Sequence, residues 1–173
     1  MAAENMEIMD LKSIQAPLKE RYRAEPARAV VTLKAEGKIG DGITCSVDTG
    51  RAMVKAGLNP ATGGGLTNVC SGDMLLQALV ACAGVTLNAV ATSLGFPVTD
   101  AKVLAEGDLD FRGTLAVSKE APVGFTAIRL TFSVEGDLTA EQLATLIRLT
   151  ERYCVVLQTI RSSPSISVTA EAA

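Results

Sequence analysis

Residues 71–96 read SGDMLLQALVACAGVTLNAVATSLGF, an apolar run with one carboxylate, Asp73, and no basic residue. Its length admits a membrane span. Gln77 and Asn88 inside the run, its many Ala and Gly residues and the lack of a basic flank favour a buried helix of a soluble protein instead. The pattern predicts a helix over roughly 73–94, ended by Gly95 and Pro97. A helix apolar on nearly every face needs cover on every side. One chain of 173 residues is small for that task, so a homodimer is expected.

Working outward, AGLNPATGGGLTNVCSGD (56–73) breaks all periodicity with Gly, Pro and Asn and reads as a long loop into the helix. Upstream, Ala29, Val31 and Leu33 alternate with polar neighbours, and Ile43, Cys45 and Val47 repeat the alternation, so both stretches read as strands. Residues 7–24 form a polar, partly helical arm interrupted at Pro17. Downstream, AKVLAEGDLDFRG contains a strand, and FTAIRLTFSVEGD places Ile128, Leu130, Phe132 and Val134 on one face. Thr139 and Gln142 form a capping-box start, and Leu143, Leu146, Ile147 and Thr150 supply the apolar stripe of a second helix. Pro164 precedes a last short strand, SISVTA. The order of strands, long helix, strands, helix and strand gives an α+β domain.

Composition narrows the chemistry. Histidine is absent, which removes Ser-His and Cys-His nucleophile pairs and every His-containing metal site. The net charge is −3 with no Lys/Arg cluster, so nucleic acid is not expected as a partner. The first residues, MAAENMEIMDLKS, lack a basic n-region and a long apolar segment. A cytoplasmic location is expected, and in a reducing compartment the four cysteines are thiols.

Cys45 alternates with Ile43 and Val47 and reads as a small core residue. Cys70 lies where the loop enters the long helix, and a helix N-terminus favours a thiolate. It reads either as a reactive thiol or as a loop cysteine with no partner. Cys82 has no charge near it in sequence, so burial alone would raise its pKa and leave it inert. Taken singly it is a packing residue. Cys154 follows Glu151 and Arg152, and taken singly it is ambiguous. No two cysteines have C-x2-C or C-x4-C spacing, so no zinc site is expected.

SGDMLLQALVACAGVTLNAVATSLGF, followed by GDLDFRG, APVGFTAIRLTFSVEGD and ERYCVVLQTI, resembles the OsmC/Ohr family of osmotically inducible and organic-hydroperoxide-resistance proteins. The shared features are a loop, a long helix bearing Ala81-Cys82, and a second helix ending in Cys154 with an aliphatic tail, Val155-Val156. The resemblance covers about residues 27–170, with residues 1–26 as an arm outside an OsmC-like domain of 27–173. It implies an intertwined homodimer in which antiparallel sheets pack around long central apolar helices. It implies no cofactor and no metal. In the peroxidase members the helix cysteine attacks a hydroperoxide and becomes a sulfenic acid. The second cysteine condenses with it, and a dithiol of lipoyl or thioredoxin type reopens the disulfide. By position Cys82 is then peroxidatic and Cys154 resolving, and aliphatic surroundings favour an organic hydroperoxide.

Peroxidase members carry Pro-Glu at the start of the cysteine helix, and that carboxylate acts with an Arg from the early strands. Here the two positions are Ser71 and Gly72. Asp73, one residue on, reads either as a stand-in or as an ordinary first-turn acid. Arg28 and Arg51 bracket the region for the cation, with Arg51 or a partner chain's Arg as the candidate activator. Arg129, on the polar face of its strand, reads as a solvated residue. The residue after the second cysteine, usually Pro, is Val155. Cys70 stands close enough to the site region to be an alternative resolving thiol. Three readings follow: a thiol peroxidase using Cys82 and Cys154, an OsmC-like homodimer with little peroxidase activity that senses redox state or binds a small molecule, and a structural role for all the thiols.

Overall fold

The computed structural model describes Ala24 and residues 36–39, 44–48, 53–64, 67–116 and 118–172, with side chains from residue 54 onward. Arg28, Arg51, the strand expected around Val31 and, apart from Ala24, the N-terminal arm lie outside the described residues. The chain divides into two compact units. One takes the residues up to Asp73 with Thr92–Gly95, and the other takes Met74–Ala91 and Phe96–Ala173.

In the first unit, strands β1 (Glu36–Ile39), β2 (Thr44–Asp48) and β3 (Met53–Gly57) form an antiparallel meander. Strand β4 (Val69–Cys70) joins β3 in parallel, with Gly57 opposite Cys70. Cys45 sits within β2, as its alternation predicts. The segment read as one long loop therefore carries a short strand, and also a 3₁₀ turn at Pro60–Thr62. Asn59 caps that turn by accepting a hydrogen bond from the Ala61 N–H at 2.9 Å.

Helix α1 spans Ser71–Leu94. It begins two residues before the expected start. It ends as predicted: Gly95 takes φ +67°, its N–H reaches the Thr92 carbonyl at 3.2 Å, and the Phe96 N–H reaches the Ala91 carbonyl at 3.0 Å. This is a Schellman termination, and the left-handed backbone explains the glycine. The helix buries a single stripe, Leu79, Ala83, Leu87 and Ala91, at i, i+4 spacing. Leu75 and Val85 stay exposed, Val85 at 72%. It is long and apolar enough to cross a membrane by length and composition, yet its stripe forms the core of the second unit.

Strands β5 (Val98–Leu109) and β6 (Phe125–Gly136) pair antiparallel, with Val103 opposite Phe132 and Ala105 opposite Leu130. Ile128, Leu130, Phe132 and Val134 share the half-buried face, as the alternation predicts. Gly107 on β5 lies against the Phe125 ring and Leu76, which leave no room for a Cβ. Asp110 caps a short helical turn, α2 (Phe111–Thr114). On the outer face Arg129 pairs with Asp108 and Glu106, a solvated cross-strand cluster.

Helix α3 (Ala140–Tyr153) carries the expected capping box: Thr139 Oγ1 accepts from Gln142 N–H at 3.2 Å, and Thr139 N–H donates to Gln142 Oε1 at 2.9 Å. Leu146 and Thr150 are fully buried, whereas Leu143 is on the exposed flank of the stripe. The tail after Cys154 is itself a helix, α4 (Val155–Arg161). The strand expected over SISVTA is not formed. Residues 163–172 have no regular structure, and Ile166 and Val168 are 79% and 88% exposed. Alternation made the segment strand-competent, but a strand needs a ladder partner, and none is supplied among the described residues.

Candidate active site

The second unit has two cores. Leu87, Ala91 and Leu146 centre one of them. Leu79, Ala83, Cys154 and Leu157 centre the other, and Cys82 packs against it with Val103, Ala105 and Leu130. Burial of Leu79 and Leu157 in one cluster with Cys154 accounts for how α1 and α4 are held together; each buried leucine contributes about 1.5–3 kcal/mol.

Cys154 terminates α3 and starts α4. Its backbone turns extended (φ −71°, ψ 105°). Its N–H still closes α3 onto the Thr150 carbonyl at 2.9 Å, and its own carbonyl accepts the Gln158 N–H at 3.0 Å. The bend is tied across by Glu151, whose carbonyl accepts from Gln158 Nε2 at 2.7 Å and whose carboxylate meets Arg161 at 3.0 Å. The bend presents the first N–H groups of α4, which have no partner within that helix, to Cys82.

Cys82 thus packs against the core that holds Cys154, each thiol influences the other's ionisation, and both are free. Burial pushes the Cys82 pKa up. The Val156 N–H, the Cys154 thiol, the Val155 N–H and the Thr86 hydroxyl together outweigh it, and the net shift is downward. For Cys154 burial is again the largest influence and pushes up. The Leu157 N–H opposes it, but donation to a charged Cys82 adds to the rise, and the net shift is upward. The arrangement shifts the ionisation of two chemically identical groups in opposite directions.

The sequence-level expectation that burial leaves Cys82 inert is therefore corrected, because it counted desolvation and not the N–H groups that a distant helix brings. The expected activating cation is not among the groups that act on Cys82 in the described residues; Arg28 and Arg51 lie outside them. Asp73 is exposed in the first turn of α1, the position of an ordinary dipole-stabilising acid, and Cys70 is half-buried at the end of β4. Both belong to the first unit, whereas the two thiols belong to the second. Sequence reasoning missed Thr86, although its position one helical turn after Cys82 was visible, and it missed α4.

A cavity of about 550 Å³, which neither thiol lines, is walled by Leu75, Phe125, Ile128 and Ile160 together with Leu79 and Leu157. The last two also form the core around Cys154. The Glu151–Arg161 pair contributes the charged part of the lining.

Residues 63–169 match the family model described as OsmC-like protein. Solved structures share the fold. An OsmC-like protein from Mycoplasma pneumoniae superposes with TM-score 0.66 at 12% identity, covering 77% of this chain and 89% of that one. An organic hydroperoxide resistance protein OsmC from Legionella pneumophila gives 0.62 at 16% identity, covering 77% and 91%. An organic hydroperoxide resistance protein from Elizabethkingia anophelis gives 0.62 at 18% identity, covering 78% and 91%. No curated protein matches the sequence.

Proposed function

Since this chain belongs to the OsmC-like protein family, we propose that it is a cysteine-based thiol peroxidase that reduces organic hydroperoxides in oxidative-stress defence. One observation carries the reading: Cys82 packs against the core that holds Cys154, and the surroundings displace the two pKa values in opposite directions. The Cys82 thiolate attacks the terminal oxygen of the hydroperoxide, the O–O bond breaks, and the alkoxide takes up a proton and leaves as the alcohol. Cys82 is left as a sulfenic acid. The Cys154 sulfur attacks the sulfenic sulfur, its proton leaves with the hydroxyl as water, and a Cys82–Cys154 disulfide remains. A dithiol, lipoyl- or thioredoxin-type, then supplies two electrons and two protons to restore both thiols.

The apolar residues that line the cavity, two of which also form the core around Cys154, support an organic substrate over hydrogen peroxide, because an alkyl or aryl group gains from leaving water. The working form is a homodimer in the reducing cytoplasm, supported by the exposed apolar flank of α1. A second reading is favoured by Gly72, which stands where peroxidase relatives place a carboxylate: the same dimer turns over slowly and serves as a redox sensor or small-molecule-binding protein.

Reduced protein treated with cumene hydroperoxide decides between them, with disulfides mapped by mass spectrometry in wild type, Cys82→Ser and Cys154→Ser. A Cys82–Cys154 bond formed at substoichiometric peroxide, with turnover when a dithiol is added, is the expected result. A bond without turnover supports the sensor. Oxidation of Cys70 or Cys45 with Cys82 untouched overturns both.

A further inference from the structure

Cys82 packs against the core of Leu79, Ala83, Cys154 and Leu157, and the side chains that share that core with it are apolar: Val103 and Ala105 from β5, Ile128 and Leu130 from β6, Val156 and Ile160 from α4. Among the described residues, the titratable group that acts on it is the Cys154 thiol. The charged residues of the ribbon, Asp100, Lys102, Glu106, Asp108, Arg129 and Glu135, are all exposed.

One polar side chain interrupts this apolar shell. Thr86, half-buried and one turn along α1, donates its hydroxyl proton to the Cys82 carbonyl at 2.8 Å. At i, i+4 spacing the two side chains share one face of α1, and the hydroxyl is among the groups that lower the Cys82 pKa. Back-bonding of this kind is common for a helical threonine and is dispensable to the helix. The Cys82 carbonyl is already at the i position for the Thr86 N–H in a regular helix. A hydroxyl carries one proton on a rotatable bond and can present it to either acceptor. A thiolate is a charged acceptor, and a hydrogen bond to a charged group is about twice as strong as a neutral one.

We propose that the Thr86 hydroxyl turns from the Cys82 carbonyl to the Cys82 sulfur as the thiolate forms, and is a hydroxyl donor that holds the reactive sulfur for attack. The assignment rests on Cys82 being the reactive thiol of the peroxidase reading. A hydroxyl is suited to this place because it stabilises the anion without adding a charge to an apolar wall. It joins the Val155 and Val156 N–H groups and the Cys154 S–H as a donor set drawn from two helices.

The test is the pH dependence of Cys82 alkylation by iodoacetamide in the full chain, read from the mass of the Cys82 peptide, so that no peroxide is involved. Thr86→Val, nearly isosteric but without the hydroxyl, should raise the midpoint by about one pH unit, the size of a single hydrogen bond to a charged group. Thr86→Ala should do the same; it favours the helix and covers the case in which the valine variant fails to fold. Thr86→Ser should leave the midpoint at the wild-type value. Unchanged midpoints in the valine and alanine variants, or a serine variant shifted as far as valine, overturn the proposal. A shifted midpoint in a protein that reduces no hydroperoxide supports the role of Thr86 while sinking the peroxidase reading. Turnover with an unshifted midpoint does the reverse.

Discussion

At Cys82 the balance between burial and hydrogen bonding decides reactivity. Because its pKa is lowered and that of Cys154 is raised, the two thiols should react in different pH ranges. Iodoacetamide near neutral pH is expected to label Cys82 well ahead of Cys154. Its rate should rise with pH and level off below the range of an ordinary thiol, while Cys154 should not label until pH is above that range. Equal labelling, followed by peptide mass, would remove the ionisation difference on which the peroxidase reading stands. Replacing Cys154 by Ser should leave the Cys82 sulfenic acid without its internal partner, so that dimedone traps it after one equivalent of cumene hydroperoxide. Little of this was visible at the residue level in sequence. Cys82 has only apolar and small neighbours there, and the groups that lower its pKa come largely from Val155 and Val156 on another helix. Thr86 was visible as a neighbour one turn away, but a threonine in a helix has an ordinary explanation until its hydroxyl is placed beside a sulfur.

Among the elements, those governed by local chemistry were legible and those needing a partner were not. The capping box of α3 was read from Thr139 and Gln142 and is present atom by atom. Thr139→Ala should cost about 1 kcal/mol of stability in urea unfolding. The end of α1 was read from Gly95, and Gly95→Ala, at φ +67° with nothing within 4 Å to clash, should cost about 1 kcal/mol through backbone strain alone. The alternation of β6 was likewise read in full, since one face packs on α1 and the other meets water. SISVTA has the same alternation and forms no strand, because alternation states which face would be buried and not whether a neighbour exists. Helix α4 was read as a tail, since seven residues are too few for a helix to announce itself by periodicity. Tertiary packing of Leu157 and Ile160 stabilises it instead.

Across the whole molecule, the long helix is the deciding element. Leu79 is fully buried and lines the cavity, so Leu79→Ala should destabilise by about 2–5 kcal/mol, measured by chemical denaturation. The opposite flank carries Val85 at 72% exposure. If a second copy covers it, light scattering should give twice the 18.0 kDa chain mass, and Val85→Glu should return the single-chain value, because a carboxylate cannot be buried there without a partner. A wild-type protein that scatters as one chain would overturn the dimer. By itself the sequence determined the α+β composition, the span and termination of the apolar helix, and the caps and faces of its neighbours. These follow from interactions within a few residues, where spacing and side-chain chemistry suffice. The pairing of Cys82 with Cys154 was already what the family resemblance implied; only the tertiary structure decided which N–H groups act on Cys82 and how deeply the two thiols are buried. The ionisation of a buried sulfur depends on how much water it loses and which donors it gains, and both are properties of the packed chain.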